Sequence, residues 1–163
     1  MAIFYSSSQA SDQQQKPYIA SEAFERMKQL VGLWEGKMDM GKGPETITAR
    51  YKLTSGGNAI TETVFEGAPH EMVSVYHDNS DRKLTMTHYC MERNQPKMEL
   101  TRRENKKLIL NLAIDADIDV ANETHMNAIT IHFDGKDKMS QEGTQFEGEQ
   151  KKEVALISYT RIK

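Results

Sequence analysis

Thr46-Ile-Thr-Ala-Arg-Tyr-Lys-Leu53 alternates between polar and apolar side chains at every position. In an extended chain, successive side chains point to opposite faces, so the apolar members share one face and the polar members share the other. This period of two is typical of a β-strand with one buried face. Residues 83–90 and 107–115 repeat the pattern, and the apolar face of the latter is predicted to include Ile114.

Short turn sequences separate further segments of this kind along most of the chain. They include Ser55-Gly-Gly-Asn58 and Asp134-Gly135. Because these links are short, two consecutive strands pair with each other in antiparallel fashion. About ten strands in a row, each with one apolar face, close most simply into an up-and-down antiparallel β-barrel. The sequence therefore predicts an all-β fold. The predicted strands lie near residues 34–40, 45–53, 58–66, 70–77, 82–90, 96–103, 107–115, 126–133, 137–145 and 150–162.

The segment before the strands has a different composition. Residues 6–17 contain no aromatic or branched aliphatic side chain, so residues 1–20 are expected to form a flexible leader to a single domain over residues 21–163. From Ser21, the apolar side chains of Phe24, Met27 and Leu30 fall at helical spacing, with Ser21 as N-cap and Gly32 as the stop. The sequence predicts one short helix that precedes the barrel and covers one end.

The composition excludes several classes of function. The 163 residues carry 21 Lys and Arg against 24 Asp and Glu, for a formal charge of −3, so no basic excess favours a nucleic acid partner. No stretch approaches the roughly 20 apolar residues of a transmembrane helix, and the N-terminal pattern is not that of a signal peptide. We expect a cytoplasmic protein with no membrane span. Its single cysteine, Cys90, excludes an internal disulfide.

Leu30-Val-Gly-Leu-Trp-Glu-Gly36 resembles the Gly-x-Trp opening of the calycin superfamily, which includes lipocalins, fatty-acid-binding proteins and nitrobindins. In that superfamily the tryptophan begins the first strand after a short helix and packs at the closed end of the barrel against an arginine of the last strand. The resemblance implies that Trp34 stacks against Arg161. A guanidinium on an indole ring is a favourable contact at such a position.

A narrower resemblance links the chain to uncharacterised bacterial calycin-like proteins, with which no activity is associated. Similarity to nitrobindins would imply haem held by a histidine near the C-terminal strands. The last strand here has no histidine, and the nearest candidates are His125 and His132, so no cofactor is expected. The residues that carry the narrower resemblance are Ser55-Gly-Gly, Glu62, His70-Glu-Met72, Tyr76-His77, Thr87-His-Tyr-Cys90 and Asn94-Gln-Pro96.

Alternation also places polar side chains among the inward-facing apolar ones. Glu62 lies between Ile60 and Val64 on one face, where a carboxylate needs a partner. If this strand is turned by one residue, Thr61 and Thr63 line the lumen instead, and the sequence leaves both readings open. The predicted ligand-binding residues are Glu62, Tyr76, His88 and Arg102.

Two of these residues have specific alternatives. His88 shares a face with Met86, so it is either a hydrogen-bonded structural group or a polar group that orients a ligand. Arg102 follows Leu100 at an alternate position, and if it faced inward it would bind a carboxylate through a bidentate pair of hydrogen bonds. The alternative is a position at the rim of the barrel. No catalytic residue is assigned.

Metal binding is not expected. His70 and His77 lie seven residues apart on one extended segment, which places them on opposite faces and too far apart to share an ion. Asp115, Asp117 and Asp119 resemble the start of a calcium loop, but that loop needs glycine where Val120 stands. Cys90 is expected to be a buried thiol.

These observations lead to three hypotheses. The first is an intracellular barrel that binds an apolar or amphipathic small molecule in its lumen, with methionines filling the core or forming an adaptable cavity wall. The second is an enzyme that uses His88 and Glu62 as an acid–base pair. The third is a structural or assembly protein that pairs with a second chain, as in a homodimer.

Overall fold

A computed structural model describes residues 18–39 and 43–163 of the chain. The first 17 residues of the predicted leader lie outside these ranges, as do Met40 and the first two residues of a glycine-rich turn at residues 41–44. No helical element within the described ranges is long and apolar enough to cross a membrane.

Ten antiparallel strands form a closed barrel in which each strand lies beside its neighbours in sequence, and the first strand pairs with the last. The predicted all-β, up-and-down antiparallel barrel of about ten strands preceded by one short helix is confirmed. The strands are β1 (Gly32–Asp39), β2 (Pro44–Thr54), β3 (Ala59–Val64), β4 (Met72–Asp78), β5 (Leu84–Tyr89), β6 (Lys97–Glu104), β7 (Lys107–Leu112), β8 (Thr124–Phe133), β9 (Lys138–Glu147) and β10 (Gln150–Arg161).

The helix that precedes the barrel, α1 (Glu22–Met27), continues into a 3-10 turn at Lys28–Leu30. Ser21 is its N-cap, as predicted, because the Ser21 hydroxyl accepts a hydrogen bond from the Phe24 amide at 3.0 Å. The Ser21 hydroxyl and amide also donate to the Asp78 carboxylate at 2.7 and 2.6 Å, which ties α1 to the end of β4.

At the end of the barrel next to α1, a side chain of β1 packs against a side chain of β10. The Trp34 ring is fully buried, and the Arg161 guanidinium lies 4.1 Å from its centroid, which is the contact that the resemblance implies. The indole N–H donates to the Leu30 carbonyl at 2.7 Å, and Arg161 donates to the carbonyls of Val31 and Gln29. Arg161 therefore joins the last strand to the segment that links α1 with β1.

The chain direction of each strand follows from this end. Because α1 leads directly into β1, the starts of the odd-numbered strands and the ends of the even-numbered strands lie near α1. The opposite end of the barrel contains the ends of the odd strands and the starts of the even ones.

The strand β7 is shorter than the predicted segment 107–115. It ends at Leu112, so Ile114 lies in a loop and is fully exposed rather than on an inward face.

Candidate functional site

A cavity of about 250 Å³ opens into the barrel interior at the end opposite α1. Its wall is predominantly apolar, and its polar lining residues come from strands on several sides of the barrel. Inward positions at the open ends of the strands supply the lining, as period-two alternation requires. The apolar wall comprises Met38, Ile47, Val64, Met72, Met126, Ile129 and Ile157.

Glu62 is the buried charged group of this cavity, with only 3% of its surface exposed. Its Oε1 atom accepts hydrogen bonds from the Tyr51 hydroxyl at 2.5 Å and from the Gln141 amide at 2.7 Å. Its Oε2 atom accepts one from the Tyr76 hydroxyl at 2.8 Å. Three donors from β2, β4 and β9 thus converge on one carboxylate of β3, which supplies the partners that a buried charge needs.

The direction of each hydrogen bond in this cluster is determined by its chemistry. The Gln141 amide also donates to the Tyr51 oxygen at 2.7 Å, which leaves the Tyr51 proton for Glu62. Burial, and after it the negative charge of Glu62, raises the pKa of Tyr51 and of Tyr76 well above the ordinary value. Both phenols therefore stay protonated and act as donors.

His88 and Ser74 form a second polar pair on the cavity wall. They lie directly opposite each other on β5 and β4, and the His88 Nδ1 atom is 3.0 Å from the Ser74 hydroxyl. Burial lowers the pKa of His88, and the charge of Glu62 opposes that effect only in part. Among the described residues, the hydrogen bonds of Glu62 go to Tyr51, Tyr76 and Gln141, so Glu62 and His88 do not form a hydrogen-bonded pair.

Tyr159 contributes a polar atom that the rest of the described structure leaves without a partner. The residue is 2% exposed and lines the cavity, and its hydroxyl forms no hydrogen bond with any described residue. Burial and the Glu62 charge raise the pKa of this phenol, so it keeps its proton. Gly36, its cross-strand partner, makes room for the ring, because a Cβ atom there would lie 2.8 Å from Tyr159 Cδ1.

Arg102 does not join the other predicted ligand-binding residues. Its side chain is 69% exposed on the outside of the barrel and pairs with Glu104 at 2.8 Å. A β-bulge between Leu100 and Arg102 shifts the register, so Arg102 lies opposite the outward-facing Ile109 rather than an inward leucine. The prediction that Arg102 faces inward is therefore wrong.

The remaining candidates lie at the margin of the cavity or away from it. Cys90 is half-buried at the cavity wall, where burial raises the pKa of its thiol. His125 is buried, and its Nδ1 atom is 2.8 Å from the Glu123 carbonyl. Within residues 18–39 and 43–163, no three His, Cys, Asp or Glu side chains are grouped closely enough to hold a metal ion.

Sequence reasoning missed four members of the site, Tyr51, Ser74, Gln141 and Tyr159. Tyr51 stands in the alternating segment of β2, where the pattern predicts only that it shares the apolar face. Gln141 alternates with Met139 on β9, and Tyr159 alternates with Ile157 on β10. The same period of two could have identified both residues as inward-facing.

The similarity of this chain to known proteins is limited to the fold. No protein-family model matches the sequence, and no curated protein matches it at a significant level. A protein of unknown function from the DUF3598 family of Nostoc punctiforme PCC 73102 is similar in structure, with a TM-score of 0.56 and 10% identity over 83% of this chain and 49% of that one. This chain thus spans about half the length of the Nostoc protein.

Rv2717c from M. tuberculosis is also similar in structure, with a TM-score of 0.56 and 12% identity over 89% of this chain and 100% of that one. At these identities, the similarity establishes a shared barrel fold and carries no information about activity.

Proposed function

We propose that this protein is a calycin-like barrel that binds a small apolar or amphipathic molecule in the cavity opposite α1. The observation that carries the proposal is an apolar cavity whose wall includes Tyr159, a residue with a buried hydroxyl that has no partner among the described residues. Ligand sites typically combine an apolar wall with a few polar groups that orient the ligand. The Glu62 cluster and the Ser74–His88 pair supply such groups here.

The volume of the cavity indicates the size of the ligand. A dry apolar cavity of roughly 150 Å³ binds benzene in another protein, and the cavity here measures about 250 Å³. A single ring with a short substituent, or a chain of similar volume, matches this space. A long-chain lipid would have to extend through the open end.

The glycine at position 143 leaves part of the cavity unfilled. It lies at an inward position of β9 on the cavity wall, and a Cβ atom there would meet no other atom within 4 Å. Unfilled interior volume costs stability, by about 24 cal/mol per Å³ in large-to-small substitution series. A larger side chain at position 143 would fill part of this volume, so the glycine preserves the cavity where a larger residue would pack the interior.

The acid–base alternative has weaker support from the geometry. Glu62 is held by three donors, and His88 pairs with Ser74 rather than with Glu62. A general acid or base must lie within hydrogen-bond reach of the proton that it transfers. A bound molecule would have to bridge the two side chains, so ligand binding is the first requirement of either function.

Ethylbenzene titrated into protein with ¹³C-labelled methionine methyl groups tests the proposal by NMR. We expect saturable shifts of Met38, Met72 and Met126, which line the cavity. Met27 and Met139 are buried near α1 and serve as internal controls. Shifts of equal size at the two ends, or no saturable shift, would contradict cavity binding.

A matched pair of variants on β9 locates the binding. Gly143→Leu fills the cavity from an ordinary backbone conformation and should abolish the methionine shifts. Glu142→Leu places the same side chain on the outer face of the same strand, where Glu142 lies opposite the exposed Leu156, and should leave binding intact. Equal binding by both variants would place the ligand elsewhere.

A further inference from the structure

We infer that the cavity selects uncharged ligands whose polar group presents an acceptor oxygen to the Tyr159 hydroxyl, such as small alcohols and amides, and rejects carboxylates. This inference rests on the proposed function and specifies the chemistry of the ligand. It reverses the expectation that an inward Arg102 would bind a carboxylate. Three observations carry it: the buried charge of Glu62, the absence of a cation from the described cavity wall, and the unpartnered hydroxyl of Tyr159.

The charge of the cavity excludes an anionic ligand. Glu62 lies buried on the cavity wall, while Glu92 and Glu153 line the more exposed part. No lysine or arginine stands among the described lining residues, and Arg102 is outside the barrel. A second carboxylate in this space would be desolvated beside a like charge with no counter-charge, and both effects oppose binding.

His88 is the one described lining residue that could supply a positive charge, and its surroundings oppose this role. Burial lowers its pKa below the ordinary value of 6.5, so the imidazole is predominantly neutral at pH 7. A neutral imidazole and the Ser74 hydroxyl can both pair with a hydroxyl or amide group. Neither can compensate the charge of a carboxylate ligand.

The hydroxyl of Tyr159 selects for an acceptor. It retains its proton and has no described partner, so a ligand oxygen that accepts this proton removes an unpaired donor from the interior. An ammonium group has no lone pair to accept the proton. The charge of Glu62, which would attract an amine, is already compensated by three donors.

The charge preference is tested with an isosteric pair of probes, 2-phenylacetamide and phenylacetate, at pH 7 by the methionine-methyl titration. The amide should bind at least about fivefold more tightly than the carboxylate, since an unpaired buried group costs at least this factor. Equal affinities, or tighter binding of phenylacetate, would overturn the inference.

The acceptor preference is tested with Tyr159→Phe and three probes of equal heavy-atom count, benzyl alcohol, ethylbenzene and benzylamine. The variant should weaken benzyl alcohol by about tenfold and leave ethylbenzene unchanged or slightly tighter. If the variant leaves benzyl alcohol unchanged, or if benzylamine is the tightest ligand of wild-type protein, the inference fails.

Different results would overturn the proposed cavity binding and the inferred ligand chemistry. Binding of ethylbenzene without any of these preferences retains the proposed cavity function and overturns the inference about ligand chemistry. Failure of ethylbenzene and of every other probe to bind wild-type protein overturns both. Circular dichroism of Tyr159→Phe verifies that the barrel is intact before its affinities are compared.

Discussion

Tyr51 and Glu62 lie directly opposite each other on β2 and β3, and the Tyr51 hydroxyl donates to the Glu62 carboxylate inside the barrel at 2.5 Å. The register that pairs the two strands therefore also brings the acid and its donor together. In such a site, the hydrogen-bonded residues support the fold, whereas an unpartnered polar residue is free to serve a ligand. The two kinds of residue should therefore differ in their contribution to the free energy of unfolding.

Two tyrosine-to-phenylalanine variants separate structural from ligand-facing hydroxyls. Tyr76→Phe removes a donor to the buried Glu62 carboxylate and should lower the free energy of unfolding by about 1–3 kcal/mol. Tyr159→Phe removes a hydroxyl with no described partner and should leave that free energy unchanged or raise it. Urea denaturation followed by circular dichroism compares the two. A larger loss for Tyr159→Phe would mean that its hydroxyl has a structural partner.

Replacement by alanine should change the stability of the protein differently at Gly32 and at Gly143. Gly32 has φ of +142°, and a Cβ atom there would lie 2.6 Å from both Arg161 Nη1 and the Lys163 carbonyl oxygen. Gly32→Ala should therefore destabilise the protein by about 1–3 kcal/mol. Gly143→Ala meets no atom within 4 Å and should be close to neutral. Equal melting temperatures for the two variants would contradict this account of the Trp34 end.

His88 makes the stability of the barrel depend on pH with a defined sign. Burial lowers the folded-state pKa of His88, so below its ordinary value of 6.5 the unfolded chain binds a proton that the folded chain does not. Stability should therefore fall as pH decreases from 7 through this range, and His88→Asn should reduce the slope. Thr87→Asn, on the outer face of the same strand, is the control. Parallel slopes for His88→Asn and wild-type protein would show that His88 does not contribute.

The regular parts of the barrel could be predicted from alternation alone. In β4 and β5, a period of two without interruption correctly places Tyr76 and His88 on the buried face, and in β3 the structure decides between the two open readings in favour of Glu62. The same reasoning failed at Arg102, because a bulge inserts one residue and reverses the faces that follow it. A bulge of this kind leaves no clear signal in the local pattern of apolar and polar residues.

The partners within the site could not be predicted in the same way. Gln141 reaches Glu62 from 79 residues away and Tyr51 from 90 residues away. Such contacts across the lumen depend on the barrel diameter and on the register of every intervening pair of strands. Alternation determines the face on which a side chain lies, but it does not determine which side chain it meets across the interior.

Glu62→Gln tests whether the carboxylate cluster acts as a unit. Glutamine offers one acceptor oxygen and one NH₂ group where glutamate offers two acceptor oxygens. With its oxygen facing Tyr51 and Gln141, the NH₂ group would face the Tyr76 hydroxyl. The Tyr76 oxygen could accept from this group only if its own proton turned away and lost the acceptor that Oε2 provides in the native cluster. This conflict should lower the free energy of unfolding by about 1–3 kcal/mol. It should also narrow the difference in affinity between phenylacetamide and phenylacetate, because the charge is gone.

A double-mutant cycle distinguishes this conflict from a general loss of packing. Tyr76→Phe removes the hydroxyl that opposes the new NH₂ group, so the double variant should be less destabilised than the sum of the single variants, by about 0.5–3 kcal/mol. Leu156→Ala, at an exposed position on the outer face of β10, should combine additively with Glu62→Gln. Additivity within about 0.5 kcal/mol in both cycles would show that Glu62 and Tyr76 are energetically independent, despite the 2.8 Å between the Tyr76 hydroxyl and Glu62 Oε2.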